Sequence, residues 1–231
     1  MEVRERDSQQ ALEHRDKGYL MPATIPAGMP TVEPRLVRAT PESLAGYGTI
    51  VTDPHNHPVE IVRWPAQGWR AVDPDTGDEA GTTEGIFSFW WKGEVLYGRN
   101  DAVKDAYLMG WSRDPAIASE TMATPDRSRI LLWHVNYHPD GGQLFYPLDK
   151  TPFVIPLAKP GDDLEPRDFV AFYCDGSFGV CMHPNVWHEG VFPLAPSGRF
   201  FDKQGKVHAR VSCNMPAEFG VLLSVPLRKP E

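Results

Sequence analysis

Short apolar runs separated by turn formers organise this chain. Residues 59–64, 69–72, 86–91, 94–97, 107–111, 130–135, 143–148, 153–157, 169–173, 178–182, 187–192, 209–214 and 220–225 are rich in Val, Ile, Phe, Tyr and Trp, and Gly, Pro or Asp separates most of them. Branched and aromatic side chains fit a pleated, half-buried surface, so each run predicts a strand. Short strands recurring at this spacing predict an all-β antiparallel sandwich or barrel. One helix start stands out over 40–48: Thr40 is placed to cap it, Pro41 to open it, and Gly46 and Gly48 to stop it. Residues 1–17 are polar and charged and suit a short helix. Pro22, Pro26, Pro30 and Pro34 punctuate an extended arm behind them. This divides the chain into an arm, 1–34, and a single domain, 35–231. The stretches 162–163 and 196–205 predict exposed loops.

Composition narrows the partners. At 231 residues, 41% hydrophobic and 23% charged, the chain can bury a sizeable core. A formal net charge of -8 argues against nucleic acid, whose phosphates demand clustered Lys and Arg. Pro 23 and Gly 20, spread along the chain, suit strands and turns over long helices. No apolar run approaches the roughly 20 residues of a membrane helix, and the charged N-terminus lacks the features of a signal peptide. Cys174, Cys181 and Cys213 are odd in number and lack metal-ligand spacing. These features predict a reduced, cytoplasmic protein with no membrane and no nucleic-acid partner.

The candidate chemistry lies in two histidine-bearing runs. In the first, His134, Asn136 and His138 alternate and therefore share one face of a strand. Gly141-Gly142 makes a turn, and Gln143, Phe145 and Pro147 share a face of the returning strand. In an antiparallel hairpin, His138 and Gln143 sit across from one another. In the second run, His183-Pro184-Asn185 forms a turn between strands and Val186-Trp187-His188 opens the next strand. A barrel that brings the runs together makes His138, Gln143, His183 and His188 convergent polar groups in an apolar cavity, the composition of a small-molecule site.

The pattern of His138, Gln143, Phe145 and Pro147, followed by Asn185-Val186-Trp187-His188, resembles the ureidoglycolate lyase family, also called ureidoglycolate hydrolase. It also resembles the wider cupin pattern. His138 takes the place of a cupin histidine, Gln143 that of its glutamate, and His188 that of the second-motif histidine. The 162–163 loop, Phe169-Val170-Ala171-Phe172, Gly176 and Gly179 look like the segment that precedes the second motif. The resemblance implies a cupin-like double-stranded β-helix, or jelly-roll barrel, with the short helix and the arm in front. It implies a homodimer and a carbon–nitrogen lyase of allantoin degradation in purine catabolism, cleaving ureidoglycolate, a small carboxylate, to glyoxylate and urea. His138 and His188 then carry the catalysis, one as base and the other as acid, because imidazoles do both near neutral pH. Asn136 and Gln143 hold the urea moiety and His183 lies beside it. Lys150, or one of Arg63, Arg70 and Arg99, pairs with the carboxylate.

Two alternatives stay open on the residues. No cofactor is the first expectation, since the amides Asn136 and Gln143 are weak ligands; the other is a divalent metal (nickel, manganese or zinc) held by His138, Gln143 and His188. For function, the alternatives are a lyase, isomerase or hydrolase acting on another small hydroxy or amino acid, and a non-catalytic carboxylate-binding barrel. Asn136 and Val170 motivate them.

Overall fold

The computed structural model describes residues 25–231 apart from 75, 77, 78 and 208. The polar helix expected over 1–17 and the first part of the arm lie outside the described residues. In chain order the strands are β1 (Thr31–Val32), β2 (Arg35–Arg38), β3 (Gly48–Val51), β4 (Glu79–Lys92), β5 (Val95–Asn100), β6 (Asp105–Trp111), β7 (Arg129–Leu132), β8 (His134–Tyr137) and β9 (Gln143–Pro147). They continue with β10 (Phe153–Ala158), β11 (Val170–Cys174), β12 (Gly179–Met182), β13 (Trp187–His188), β14 (Phe192–Pro193), β15 (Ser197–Val207), β16 (Val211–Asn214) and β17 (Leu222–Pro226). One α-helix among the described residues, α1 (Met215–Phe219), separates the last two strands.

These strands form two open sheets. The ten-stranded sheet runs β1-β17-β7-β6-β5-β4-β15-β9-β12-β3, and the seven-stranded one runs β16-β8-β13-β10-β11-β2 with β14 paired to β10. Side chains of both sheets meet in a single core, including Phe89, Phe145 and Phe200 from the first and Phe153, Phe172 and Trp187 from the second. This is the all-β architecture that the strand pattern predicts, consistent with the cupin-like fold that the resemblance implies. Trp187 is the largest fully buried side chain. Its ring meets Tyr137 edge-on at 4.7 Å, and its Nε1 donates to the Gly161 carbonyl at 2.7 Å. Burying an aromatic side chain of this class contributes about 2–3 kcal/mol.

Several local expectations change. The loop expected over 196–205 is the eleven-residue β15, paired to both β4 and β9. Its Asp202 and Gln204 are buried, so polarity here marks an internal face and not solvent. The run 130–135 breaks at Trp133, whose carbonyl accepts from Met215 N at 2.8 Å. β7 stays in the larger sheet and β8 passes into the smaller one. The strands expected over 59–64 and 69–72 do not form; the first contributes one isolated bridge, Ile61 to Gly141. Pro58, Pro65 and Pro74 interrupt the ladder there, and side chains take over: Arg70 donates to Glu218 at 3.0 and 2.7 Å and to the Asp162 carbonyl at 2.9 Å.

The helix expected over 40–48 closes as successive turns. Thr40 does cap it, its Oγ1 accepting from Ser43 N at 3.1 Å. The helix that does form, α1, carries signals of the same kind: Asn214 caps it, Pro216 stands in its first turn, and Gly220 ends it at φ 66.

Candidate active site

The hairpin expected between the His134–His138 run and Gln143 does not form. β8 pairs with β13 and β16, whereas β9 pairs with β12 and β15. The turn between them carries the chain from one sheet to the other. Other segments take up its backbone groups: Val62 N donates to Asp140 O at 2.8 Å and Gly142 N to Glu60 O at 2.9 Å. Asp140 Oδ2 accepts from Ala209 N at 2.9 Å. A Cβ at Gly142 would stand 2.4 Å from Met182 O, so only glycine lets these backbones approach so closely. The two histidine runs nevertheless meet. His188 is the cross-strand partner of Asn136, and the Asn185 amide donates to the His138 carbonyl at 3.0 Å.

A cavity open to solvent lies between the sheets at this meeting point. His138, His188, Asn136 and Gln143 all line it, and each is buried. The His138 and His188 rings are 5.0 Å apart, tilted by 60°. His138 Nδ1 donates to Ala209 O at 2.9 Å and His188 Nδ1 to Val186 O at 2.8 Å. A carbonyl can only accept, so both rings carry a hydrogen on Nδ1; neutral His138 then keeps its lone pair on Nε2, whereas His188 Nε2 faces Gln143 Oε1 at 3.2 Å. Burial makes His188 harder to protonate, although the Val186 hydrogen bond and the Glu189 charge act the other way.

Lys150 and His183 stand apart from this cavity. Lys150 is exposed in the turn after β9, with φ 53, and His183 is exposed beyond β12. The turn that brings His188 inward directs His183 outward, and the His183 amide is used by Tyr47 O at 3.0 Å. The alternative cations also fall elsewhere. Arg63 is exposed, Arg70 is held by Glu218, and Arg99 pairs with Asp101.

Four further residues join the site. Among the described residues Arg210 is the one Lys or Arg that lines the cavity; its Nε donates to Asp73 Oδ2 at 2.8 Å. Glu189 and His134 also line it, with His134 Nδ1 3.0 Å from Glu189 Oε2. Asp202 lies behind the wall, fully buried. It accepts from Gln143 Nε2 at 2.8 Å and from Asn100 Nδ2 at 3.0 Å. Burial pushes its carboxyl up to about 7, against those two hydrogen bonds. The shared face of His134, Asn136 and His138 was a usable signal for His134. Arg210 and Asp202 carried none, since nothing local shows what Arg210 faces in the strand expected over 209–214 and Asp202 sits in a stretch that reads as a loop.

Gln143 is clamped. Its amide nitrogen donates to Asp202 and, at 2.7 Å, to Gln204 Oε1, which turns its oxygen toward His188 Nε2 at 3.2 Å. Asn136 donates through Nδ2 to Glu189 Oε2 at 3.3 Å. Its own Oδ1 is buried and has no hydrogen-bond partner among the described residues. A divalent ion fits this set poorly. Among the described residues no three His, Cys, Asp or Glu side chains gather to hold one, and the third donor would be the amide of Gln143.

The comparisons with known proteins agree with this region. A family model described as Ureidoglycolate lyase matches residues 99–215, from the end of β5 to the start of α1. A ureidoglycolate lyase of Azotobacter vinelandii is 34% identical over 94 residues, which is 40% of this chain and 57% of that protein. One from Salmonella enteritidis PT4 is 34% identical over 80 residues, 35% of this chain and 50% of the relative. One from Pseudomonas savastanoi pv. phaseolicola is 34% identical over 95 residues, 40% of this chain and 56% of the relative. The chain thus spans about half the length of these curated relatives.

Proposed function

The chain belongs to the ureidoglycolate lyase family, and from that premise we propose that its cavity cleaves ureidoglycolate to glyoxylate and urea. The observation that carries this reading is the orphaned Asn136 Oδ1. An acceptor buried without a partner costs about 1–3 kcal/mol, and it stands in the wall of a cavity that also presents imidazoles and a guanidinium. Ureidoglycolate supplies the matching groups: urea N–H for Asn136, a carboxylate for Arg210, and a hydroxyl proton for an imidazole.

In this reading Arg210 takes the carboxylate through a charge-assisted hydrogen bond, with Asp73 holding the guanidinium from behind. His138 is the base. Its Nδ1–H is fixed on Ala209 O, which aims the Nε2 lone pair as acceptor for the hydroxyl proton. As that proton leaves, the carbonyl of glyoxylate forms and the carbon–nitrogen bond breaks. His188 and Gln143 hold the urea moiety. The geometry supports His188 poorly as the acid, because its Nε2 faces Gln143 Oε1 at 3.2 Å and a hydrogen there is directed at Gln143. The donor set offers little to a divalent ion, and no step is assigned to one. A cytoplasmic homodimer, implied by the family resemblance, belongs to the same reading. Among the described residues no helix is long and apolar enough to cross a membrane.

Incubation of purified protein with ureidoglycolate tests the proposal. Glyoxylate and urea appearing in equal amounts, well above the uncatalysed rate, support it. Folded protein that binds the compound without releasing either product would leave a binding function in its place.

A further inference from the structure

Cleavage as written leaves the departing urea nitrogen in need of a proton that neither imidazole offers: neutral His138 has no hydrogen on Nε2, and His188 Nε2 is turned onto Gln143 Oε1 at 3.2 Å. A hydrogen-bonded chain on the same wall does. Asp73 is ion-paired with Arg210 and accepts the hydroxyl hydrogen of Ser212. A hydroxyl has one hydrogen, so Ser212 Oγ is the acceptor toward His134 Nε2, 2.9 Å away, and that nitrogen carries a hydrogen. On the other side of the ring, Nδ1 faces Glu189 Oε2 at 3.0 Å. A lone pair and a carboxylate oxygen repel at that distance, so one more proton lies between them.

Resting on the lyase reading above, we propose that Glu189, sharing this proton with His134, is the catalytic residue that protonates the departing urea nitrogen. The step balances. The hydroxyl proton passes to His138 Nε2, the oxygen lone pair forms the carbonyl, and the carbon–nitrogen electron pair moves to nitrogen. That nitrogen takes the proton from the Glu189 carboxyl. The pair is left as neutral His134 and ionised Glu189, and the proton taken by His138 restores it. Glu189 has the placement for this: it lines the cavity, and Asn136 donates to it while turning an unpartnered oxygen toward the urea. Ser212 and Asp73 are positioning residues, fixing the His134 ring so that Nδ1 faces the carboxyl.

Two measurements test this. In the wild-type protein without substrate, ¹⁵N-resolved imidazole spectra are expected to show His134 protonated at Nε2. A ring bare at Nε2 overturns the shared-proton argument, whatever the activity. Glu189→Gln is expected to lower kcat on ureidoglycolate by about 10²–10⁴-fold with KM changed only a few-fold. On a hemiaminal carboxylate whose departing nitrogen bears an electron-withdrawing group, the loss shrinks at least about tenfold, because a better leaving group needs less acid assistance. Equal losses on both substrates, or no loss, overturn the role. Should Glu189→Gln fail to fold, Ser212→Ala decides by the same comparison: a smaller kcat loss that also shrinks with the better leaving group supports the role, and an unchanged ratio overturns it. Wild-type protein with no turnover removes the lyase reading itself, which is distinguishable from turnover that survives the loss of Glu189.

Discussion

The two walls of the cavity are built on opposite principles. On the wall from the smaller sheet, ionisable groups meet partners of complementary charge: Arg210 with Asp73, and His134 with Glu189. On the wall from the larger sheet, one carboxyl, Asp202, is fully buried and its hydrogen-bond donors are the amides of Asn100 and Gln143. Amides satisfy a carboxylate's lone pairs without neutralising its charge, which is why burial dominates there. The difference separates two tasks. On the proposed reading one wall moves protons and holds an anion, and the other fixes the Gln143 amide at a cost in stability.

The comparison breaks most sharply at the base. His138→Ala should lower kcat by about 10²–10⁴-fold, measured as glyoxylate release, with the melting temperature close to wild type; a variant with unchanged kcat would place the base elsewhere. The opposite wall answers in stability. Burial pushes the Asp202 carboxyl up to about 7 in the folded state, against 3.8 for a free aspartate. The folded state therefore holds a proton that the unfolded chain has released between those values. Its contribution is fully present at the acid end and is lost as pH rises through about 7, by up to roughly 4 kcal/mol. Denaturant titrations across that window should show the decline in wild type and a flatter profile in Asp202→Asn. Parallel profiles would mean that Asp202 is not protonated on folding.

Smaller effects sharpen the division. Arg210→Gln should raise KM about 10–100-fold, the loss of one charge-assisted contact of about 1.5–3 kcal/mol, with a lesser change in kcat. An effect confined to kcat would move Arg210 from binding to chemistry. Gln204→Leu removes one of the two acceptors that orient Gln143. It should cost about 1 kcal/mol of stability and only a few-fold in activity. A loss as large as that of His138→Ala would show that the clamp takes part in the reaction.

How far the sequence could be read differs between the same two walls. Residues on β8 and β13 were legible because alternation declares a face: His134, Asn136 and His138 point together wherever the strand lies. The motif spacing then linked them to His188. The other wall was obscured by its polarity. Asp202 and Gln204 are what an exposed loop contains, and only the pairing of β15 with β4 and β9 makes them internal. Gln143 was found for a reason that did not hold: the local hairpin that would have set it opposite His138 is absent, and two different sheets bring them to one cavity. Lys150 and His183 failed because proximity in sequence to a site residue says nothing about which way a turn directs the side chain. Arg210 was invisible because its value as the cavity's cation comes from long-range topology.

The most direct measurement is a crystal structure with an inert analogue in which the reacting carbon is a carbonyl instead of a carbinol. The analogue is expected between the walls, with its carboxylate on Arg210, a urea N–H on Asn136 Oδ1, and the reacting carbon's oxygen toward His138 Nε2. A carboxylate seated against Gln143 and Gln204, or an analogue bound outside the cavity, would contradict it.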